Sequence, residues 1–323
     1  MASFFRSKPA KSEGALIPLA RVLPNAGVRI VAPASSAKVE VAQLALAKLR
    51  SMSFQPRFGQ HAFRKGPLFY AGTTSQRLQD LHDAFADENS SVVVSLRGGY
   101  GSNYLLSGLD TELIRKHPKP FLAYSDLTGI QLHLLDKIGL PAFHGPMATT
   151  DFAVENGIHV ESLLAALGGT SYSLCDAEGL RTLKMGALNK NTTGILYGGC
   201  LSILVSLLGT PWEPQTEGKL LFLEDTGAKP YQIDRMLWQL RNAGKLEGIK
   251  GVIFGEMLDC SSPGAAYNLL EEVILQHFED MDIPIAIGLR SGHVSRANVT
   301  LVFGWEAELQ ITGFPQLTLR GVR

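Results

Sequence analysis

Across its first 150 residues the chain alternates short apolar, β-branched runs with stretches of helical spacing, and this alternation most restricts what it can fold into. Val28-Arg29-Ile30-Val31 reads as a strand stopped by Pro33, and a run of good helix formers follows over 38–50. Phe69-Tyr70-Ala71-Gly72 gives way to Thr73 and Gln76, a capping-box pair that opens a helix running to Ala86. A β-branched run over 91–96 ends in the glycine-rich Arg97-Gly98-Gly99-Tyr100-Gly101. Pro120-Phe121-Leu122-Ala123-Tyr124 has the texture of a buried strand, and Leu127, Ile130, Leu134, Leu135 and Ile138 then fall at helical spacing. Leu140-Pro141-Ala142-Phe143 leads into His144 and Gly145, with His144 expected in a loop. Strand and helix exchanged at this interval predict a parallel sheet covered by helices.

The texture changes near residue 167. Residues 168–191 read as a linker with short strands. Beyond them, strands are expected over 192–197, 220–224, 251–254, 300–303 and 306–311, with helices over 201–208, 231–243 and 265–278. The expected organisation is a flexible extension over 1–22, an N-terminal α/β domain over 23–167, the linker, and a C-terminal domain over 192–323 that finishes in β-rich sequence.

Thirty basic and thirty acidic residues cancel, with no long run of one sign, so neither nucleic acid nor a membrane surface has an electrostatic footprint. A 45% hydrophobic, 19% charged composition is that of a soluble globular protein. Cys175, Cys200 and Cys260 are odd in number and far apart, which suits a reducing compartment better than a disulfide framework. The N-terminus lacks the apolar core of a signal peptide and no run is long enough to span a membrane, so the expected location is the cytoplasm.

Several residues have types and positions suited to chemistry. Ser125 and Asp126 stand where the strand turns into a helix, a place that suits a nucleophile beside helix N–H groups and equally suits a helix cap. The glycines of 97–101 allow close backbone approach to a ligand, or simply a tight strand–helix connection; neither a Walker spacing nor G-x-G-x-x-G is present. Glu224 ends the apolar run Leu220-Leu221-Phe222-Leu223, where a carboxylate can orient a histidine or, with Asp225, cap the next helix. Among eight histidines, His293 lies in a polar loop that feeds a strand, as a base for another part of the fold or as a solvated loop residue. Cys200, in Gly198-Gly199-Cys200-Leu201-Ser202, is a thiol beside a helix start or a small buried residue. There is no H-E-x-x-H, no C-x-x-C and no ligand-like cysteine spacing, so no metal is expected.

Four segments in this order resemble the LD-carboxypeptidase, or muramoyltetrapeptide carboxypeptidase, family of serine peptidases: Arg97-Gly98-Gly99-Tyr100-Gly101, Tyr124-Ser125-Asp126-Leu127-Thr128, the stretch 223–237 opening on Leu223-Glu224-Asp225-Thr226-Gly227, and Gly292-His293 with Asn298-Val299-Thr300-Leu301. The resemblance covers roughly residues 28–311. It implies an α/β fold: an N-terminal parallel-sheet domain of flavodoxin or glutamine-amidotransferase type, and a C-terminal β-rich α/β domain of swivelling type. It further implies Ser125 as nucleophile, His293 as general base and acid, and Glu224 as the group that orients the histidine. Backbone N–H groups of Gly99 and Asp126 would form the oxyanion hole, with Arg97 and Tyr100 as possible substrate contacts. No cofactor is implied, and the assembly would be a homodimer. Ala228, Cys200 and Val302 depart from the residues common at those positions, which bears on substrate choice more than on mechanism.

The implied reaction is hydrolysis of the amide between an L-configured centre, diaminopimelate, and a terminal D-alanine of a murein tetrapeptide in cell-wall recycling. One alternative within the family is an immunity peptidase that cleaves a peptidyl or aminoacyl nucleotide antibiotic, for which Trp212 and Trp305 are the aromatic residues to check. A non-catalytic binding protein on the same fold is another. An amidotransferase-like enzyme would want cysteine at position 125, where this chain has serine.

Overall fold

The computed structural model describes residues 15–186, 191–261 and 268–322. Five strands of the N-terminal half, β1 (Gly27–Val31), β2 (Gln55–Phe58), β3 (Val92–Ser95), β4 (Phe121–Ala123) and β5 (Ala142–His144), pair in parallel in the order β2-β1-β3-β4-β5. The helices between them are α1 (Val39–Ser51), α2 (Thr74–Ala86), α3 (Thr111–Lys116) and α4 (Thr128–Ile138). Strands covered on both faces have no solvent side, which explains why β3, β4 and β5 are buried at every residue. The capping box opening α2 is present: Thr73 Oγ1 accepts from Gln76 N at 3.2 Å, and Gln76 Oε1 accepts from Thr73 N at 3.0 Å.

The second half begins after α5 (Val160–Gly168) and supplies β6 (Tyr172–Leu174), β7 (Arg181–Lys184), β8 (Thr192–Cys200), β9 (Lys219–Glu224), β10 (Gly251–Gly255), β11 (Ile285–Leu289), β12 (Leu301–Phe303), β13 (Glu306–Gln310) and β14 (Gln316–Leu319). Eight of these form a sheet in the order β6-β14-β13-β8-β9-β10-β11-β7. Its middle strands β8 to β11 are parallel, linked through α6 (Leu201–Ser206), α7 (Pro230–Asn242) and α8 (Leu269–Gln276), while the outer strands pair antiparallel. The fold is thus mixed α/β, a parallel N-terminal sheet beside a separate β-rich sheet.

Three boundaries differ from the sequence expectation. Residues 168–191, expected as a linker with short strands, do carry short strands, β6 and β7, but these close opposite edges of the C-terminal sheet; residues 187–190 lie outside the described residues. The apolar run over 300–303 forms β12, which leaves its own half and pairs antiparallel with β5, Leu301 opposite His144. A short apolar run carries no label for its sheet; covering the exposed edge of β5 decides it. Of the expected N-terminal extension, residues 1–14 lie outside the described residues, whereas Ile17 N donates to Gly139 O at 2.8 Å and Val22 N to Leu167 O at 3.1 Å. The start of the helix expected over 265–278 also lies outside the described residues.

Among the described residues no helix is long and apolar enough to cross a membrane.

Candidate active site

The site is built where C-terminal strand ends of the two sheets meet. At the first, β4 stops at Ala123 and a single turn of 3₁₀ helix, Ser125–Leu127, leads into α4. Ser125 takes a φ of 64°, a left-handed conformation that a serine adopts at a cost of order 1–3 kcal/mol and that turns the chain sharply enough to raise the side chain above the sheet. The helix-cap alternative fails here, because α4 has no side-chain cap and Ser125 Oγ accepts no N–H among the described residues. Asp126 is buried, and its carboxylate accepts from Ser102 N at 2.8 Å. Burial pushes that carboxyl up, and the Ser102 hydrogen bonds oppose the shift.

The glycine loop lies directly against this turn. A Cβ on Gly98 would stand 2.8 Å from Ser125 Cβ, 3.0 Å from Ser125 Oγ and 3.6 Å from Asp126 N. Gly99 has a φ of +109°, and a Cβ there would stand 2.3 Å from Ser35 Oγ. Both positions therefore require glycine, one for close approach and one for backbone conformation as well. Ser35 Oγ accepts from Tyr100 N at 3.2 Å, and buried Arg77 donates to Gly101 O at 2.7 Å, so the loop is held from both sides. Gly99 N–H makes no backbone hydrogen bond among the described residues, and Asp126 stands in the first turn of its 3₁₀ helix, where the leading N–H groups lack an intrahelical acceptor. Arg97 and Tyr100 stand exposed beside them.

At the second strand end, β9 delivers Glu224, fully buried, to the loop that follows β11. Glu224 Oε2 accepts from His293 N at 3.0 Å and lies 2.8 Å from His293 Nδ1. Burial pulls the His293 imidazole down, but the Glu224 charge, their hydrogen bond and the carboxylates of Asp225 and Asp151 outweigh it and hold its pKa above the ordinary value. For Glu224 burial raises the pKa, and His293 more than reverses it, leaving the carboxyl below its usual range. With Nδ1 taken by Glu224, the free ring nitrogen of His293 is Nε2. The ring itself packs edge-on against Tyr124, the residue before Ser125, with centroids 5.2 Å apart. Among the described residues no hydrogen bond joins Ser125 to His293.

Asp225 does not cap the next helix, the alternative expected for it, but accepts from Ser202 N at 2.8 Å at the start of the preceding α6. Cys200 is buried at the end of β8 and its thiol is pushed well above the usual value by burial and by Glu224 and Asp225, which removes it as a thiolate nucleophile. Several other histidines are occupied elsewhere: His61 lies 2.8 Å from Asp80, and His277 lies 2.9 Å from Asp234.

Models of the two halves of one family match this chain consecutively, the LD-carboxypeptidase N-terminal domain over residues 28–145 and the LD-carboxypeptidase C-terminal domain over residues 193–309. The chain belongs to the LD-carboxypeptidase family. A probable murein peptide carboxypeptidase of Bacillus subtilis (strain 168) is 36% identical over 275 residues, 83% of this chain and 84% of that protein. The crystal structure of a muramoyltetrapeptide carboxypeptidase from Oxalobacter formigenes superposes with a TM-score of 0.80 at 28% identity, covering 91% of this chain and 98% of that one. That of an MccF-like protein from Bacillus anthracis gives 0.85 at 26% identity, covering 94% and 99%.

Set on this LD-carboxypeptidase frame, the departures fall in different surroundings. Val302 is buried in β12, Cys200 in the core, and Ala228 is partly buried after Glu224. Trp305 is buried, whereas Trp212 lines a cleft of about 330 Å³ together with Tyr100, Ser102, Asp126, Gly129 and Ile203. Two residues at the site carried no role in the sequence reading. Asp151 is buried and accepts from Met147 N at 2.8 Å, Thr150 Oγ1 at 2.8 Å and Asn298 Nδ2 at 3.0 Å. Asn298, fully buried, also accepts from Gly292 N at 3.0 Å and so fixes the loop that carries His293. Asn298 stood within a family segment; Asp151 left no local signal.

Proposed function

We propose that the chain is a serine carboxypeptidase that hydrolyses the amide between the L-configured centre of diaminopimelate and the terminal D-alanine of a murein tetrapeptide, in cell-wall recycling. The observation that carries this reading is the Glu224–His293 hydrogen bond at 2.8 Å, set against Tyr124 and hence beside a Ser125 raised on a left-handed turn. The relatives named above, one a murein peptide and one a muramoyltetrapeptide carboxypeptidase, supply the substrate class.

Ser125 Oγ attacks the scissile carbonyl carbon while His293 Nε2 takes its proton. Glu224 holds the ring by Nδ1 and stabilises the imidazolium. The oxyanion is received by the N–H groups of Gly99 and Asp126, each donor worth about 3–4 kcal/mol at comparable sites. Collapse of the tetrahedral species breaks the C–N bond, and His293 hands its proton to the departing D-alanine amine. Water then attacks the acyl–Ser125 ester, with His293 again as base, and the shortened peptide leaves. Arg97, exposed beside Gly99, and Tyr100 are candidate contacts for the substrate carboxylate and backbone.

The test is release of free D-alanine from a murein tetrapeptide by the purified protein. Ser125→Ala and His293→Ala should each lower kcat by about 10⁴-fold or more with the fold intact. Wild-type turnover in either variant would sink the triad. No release by wild type, with hydrolysis of an aminoacyl nucleotide instead, would favour the immunity-type reading, for which Trp212 in the cleft is the available stacking surface. Binding without turnover, unchanged in Ser125→Ala, would favour a non-catalytic protein. We further propose a cytoplasmic homodimer; light scattering of the purified chain checks the dimer and cell fractionation the location.

A further inference from the structure

His144 is a buried group near this site whose chemistry the reaction above leaves unused. It lies at the end of β5, opposite Ala123 of β4, and is completely buried. Its ring is enclosed by three aromatic rings, Phe303 at 5.2 Å, Phe222 at 5.3 Å and Tyr124 at 5.8 Å between centroids. Neither ring nitrogen has a hydrogen-bond partner among the described residues. Packing alone would favour phenylalanine at such a position, because an imidazole buried without partners is destabilising.

A second buried polar atom in the same region is also unpartnered. Glu224 Oε2 takes both hydrogen bonds from His293, while Glu224 Oε1 takes none. Phe222 and Glu224 are two apart on β9 and project from the same face, and it is Phe222 whose ring meets His144. The backbone closes the carboxylate from another side: a Cβ on Gly292 would stand 2.6 Å from Glu224 Cδ. Burial holds the His144 pKa down at about 4, with the charge of Glu224 opposing and that of His293 reinforcing it. His144 is therefore neutral near pH 7, with one N–H to give and one nitrogen to accept.

We propose that His144 is a positioning residue for Glu224: its ring N–H reaches Glu224 Oε1 through one enclosed water, and so fixes the carboxylate that orients His293. A buried carboxylate supported on both oxygens keeps one orientation and stays ionised, which is what the imidazolium formed during acyl transfer requires. The inference rests on the proposed roles of Glu224 and His293, so its test includes a readout that needs no substrate.

Two variants separate the hydrogen bond from mere packing. His144→Phe matches the aromatic surroundings and removes the donor; His144→Gln keeps a donor but packs less well. The expected result for His144→Phe is a melting temperature equal to or above wild type, a kcat for D-alanine release lower by about 10–100-fold, and a KM little changed. His144→Gln recovers most of the lost kcat. A packing role gives the reverse order, with phenylalanine the better substitute, and overturns the proposal. In substrate-free protein, imidazole ¹⁵N titration should show the His293 pKa moving down toward its ordinary value in His144→Phe, because a less supported Glu224 ionises less readily; an unmoved His293 overturns it. The same spectra of wild type should show a neutral His144 with a slowly exchanging N–H, and a freely exchanging ring overturns it even if both variants misfold. Failure of wild type to release D-alanine counts against the proposed substrate and leaves the titration test standing.

Discussion

Tyr124 and His293 meet edge to face with ring centroids 5.2 Å apart, joining the turn that carries Ser125 to a loop from the other half of the chain. The contact is made by the ring, while the hydroxyl points to Asp151 Oδ1 at 3.5 Å, a marginal hydrogen bond. Tyr124→Phe should therefore keep kcat within a few-fold of wild type, whereas Tyr124→Ala removes the surface that seats His293. We expect the alanine variant to lose most D-alanine release and about 3–5 kcal/mol of stability, read by denaturant unfolding.

The pH dependence of rate and of stability should run in opposite senses. In the proposed role of base His293 must be neutral, and its pKa is held above the ordinary 6.5, so kcat/KM should fall as pH drops through a midpoint higher than 6.5. The stabilisation that raises this pKa is fully present below 6.5 and is lost as pH rises through the folded value. Glu224 has the opposite sign: its contribution is present above 4.5 and is lost as pH falls through its lowered folded value. The pair is worth most to the fold between those limits, where it is least active. The melting-temperature difference between wild type and His293→Gln should shrink from about pH 5.5 to about pH 9; a constant difference would contradict the ion pair.

Glu224→Gln isolates charge from shape. The amide fills the same buried space but no longer stabilises an imidazolium, and its NH₂ can sit where Nδ1–H now donates. A loss of about 10⁴-fold in kcat with KM nearly unchanged is expected, since the substrate does not touch this residue.

Gly98→Ala tests the close approach at Ser125. The added Cβ would meet Ser125 Cβ at 2.8 Å and Oγ at 3.0 Å, so Ser125, the proposed nucleophile, or the loop against it must move. The expected outcome is a kcat loss of about 10²–10³-fold, as for a displaced oxyanion donor, with a lowered unfolding midpoint, because an overlap at Ser125 Cβ is relieved only by moving backbone. A variant of full activity would mean that the loop does not face the reacting serine.

The strand-to-helix changeover at Tyr124-Ser125-Asp126 was legible because its signals are local: apolar burial ends and helical spacing begins within three residues. The Thr73–Gln76 capping box was legible for the same reason. Local residues left cap and nucleophile open at Ser125; the proposal of a nucleophile leans on the distant Glu224 and His293 segments. The left-handed φ of Ser125 leaves no trace in composition. His144 looked like a loop residue because Gly145 and Pro146 follow it, yet it ends β5 and is sealed by β12. The pairing of β12 with β5, and of Asp151 with Asn298 over 147 positions, is fixed by tertiary packing, for which a single sequence offers no short-range signal.

Asn298 gives the sharpest test of that long-range coupling. Its side chain donates to Asp151 Oδ1 at 3.0 Å and to Gly292 O at 3.1 Å, and accepts from Gly292 N at 3.0 Å, all in full burial. Alanine there leaves a buried carboxylate one donor short and a backbone N–H and C=O without partners. Unpaired groups of this kind cost about 1–3 kcal/mol each, so Asn298→Ala should lose several kcal/mol in denaturant unfolding. Burial already pushes the Asp151 carboxyl up, and the Asn298 hydrogen bond is the leading opposing cause. Without it that pKa should climb further, so the variant's deficit should be smaller at about pH 5, where the unpaired Asp151 takes up a proton more readily, than at about pH 8. The loop that Asn298 no longer fixes carries His293, so kcat should fall in the residual folded protein while KM changes less. A variant that keeps wild-type kcat, with the stability loss alone, would confine Asn298 to holding the fold.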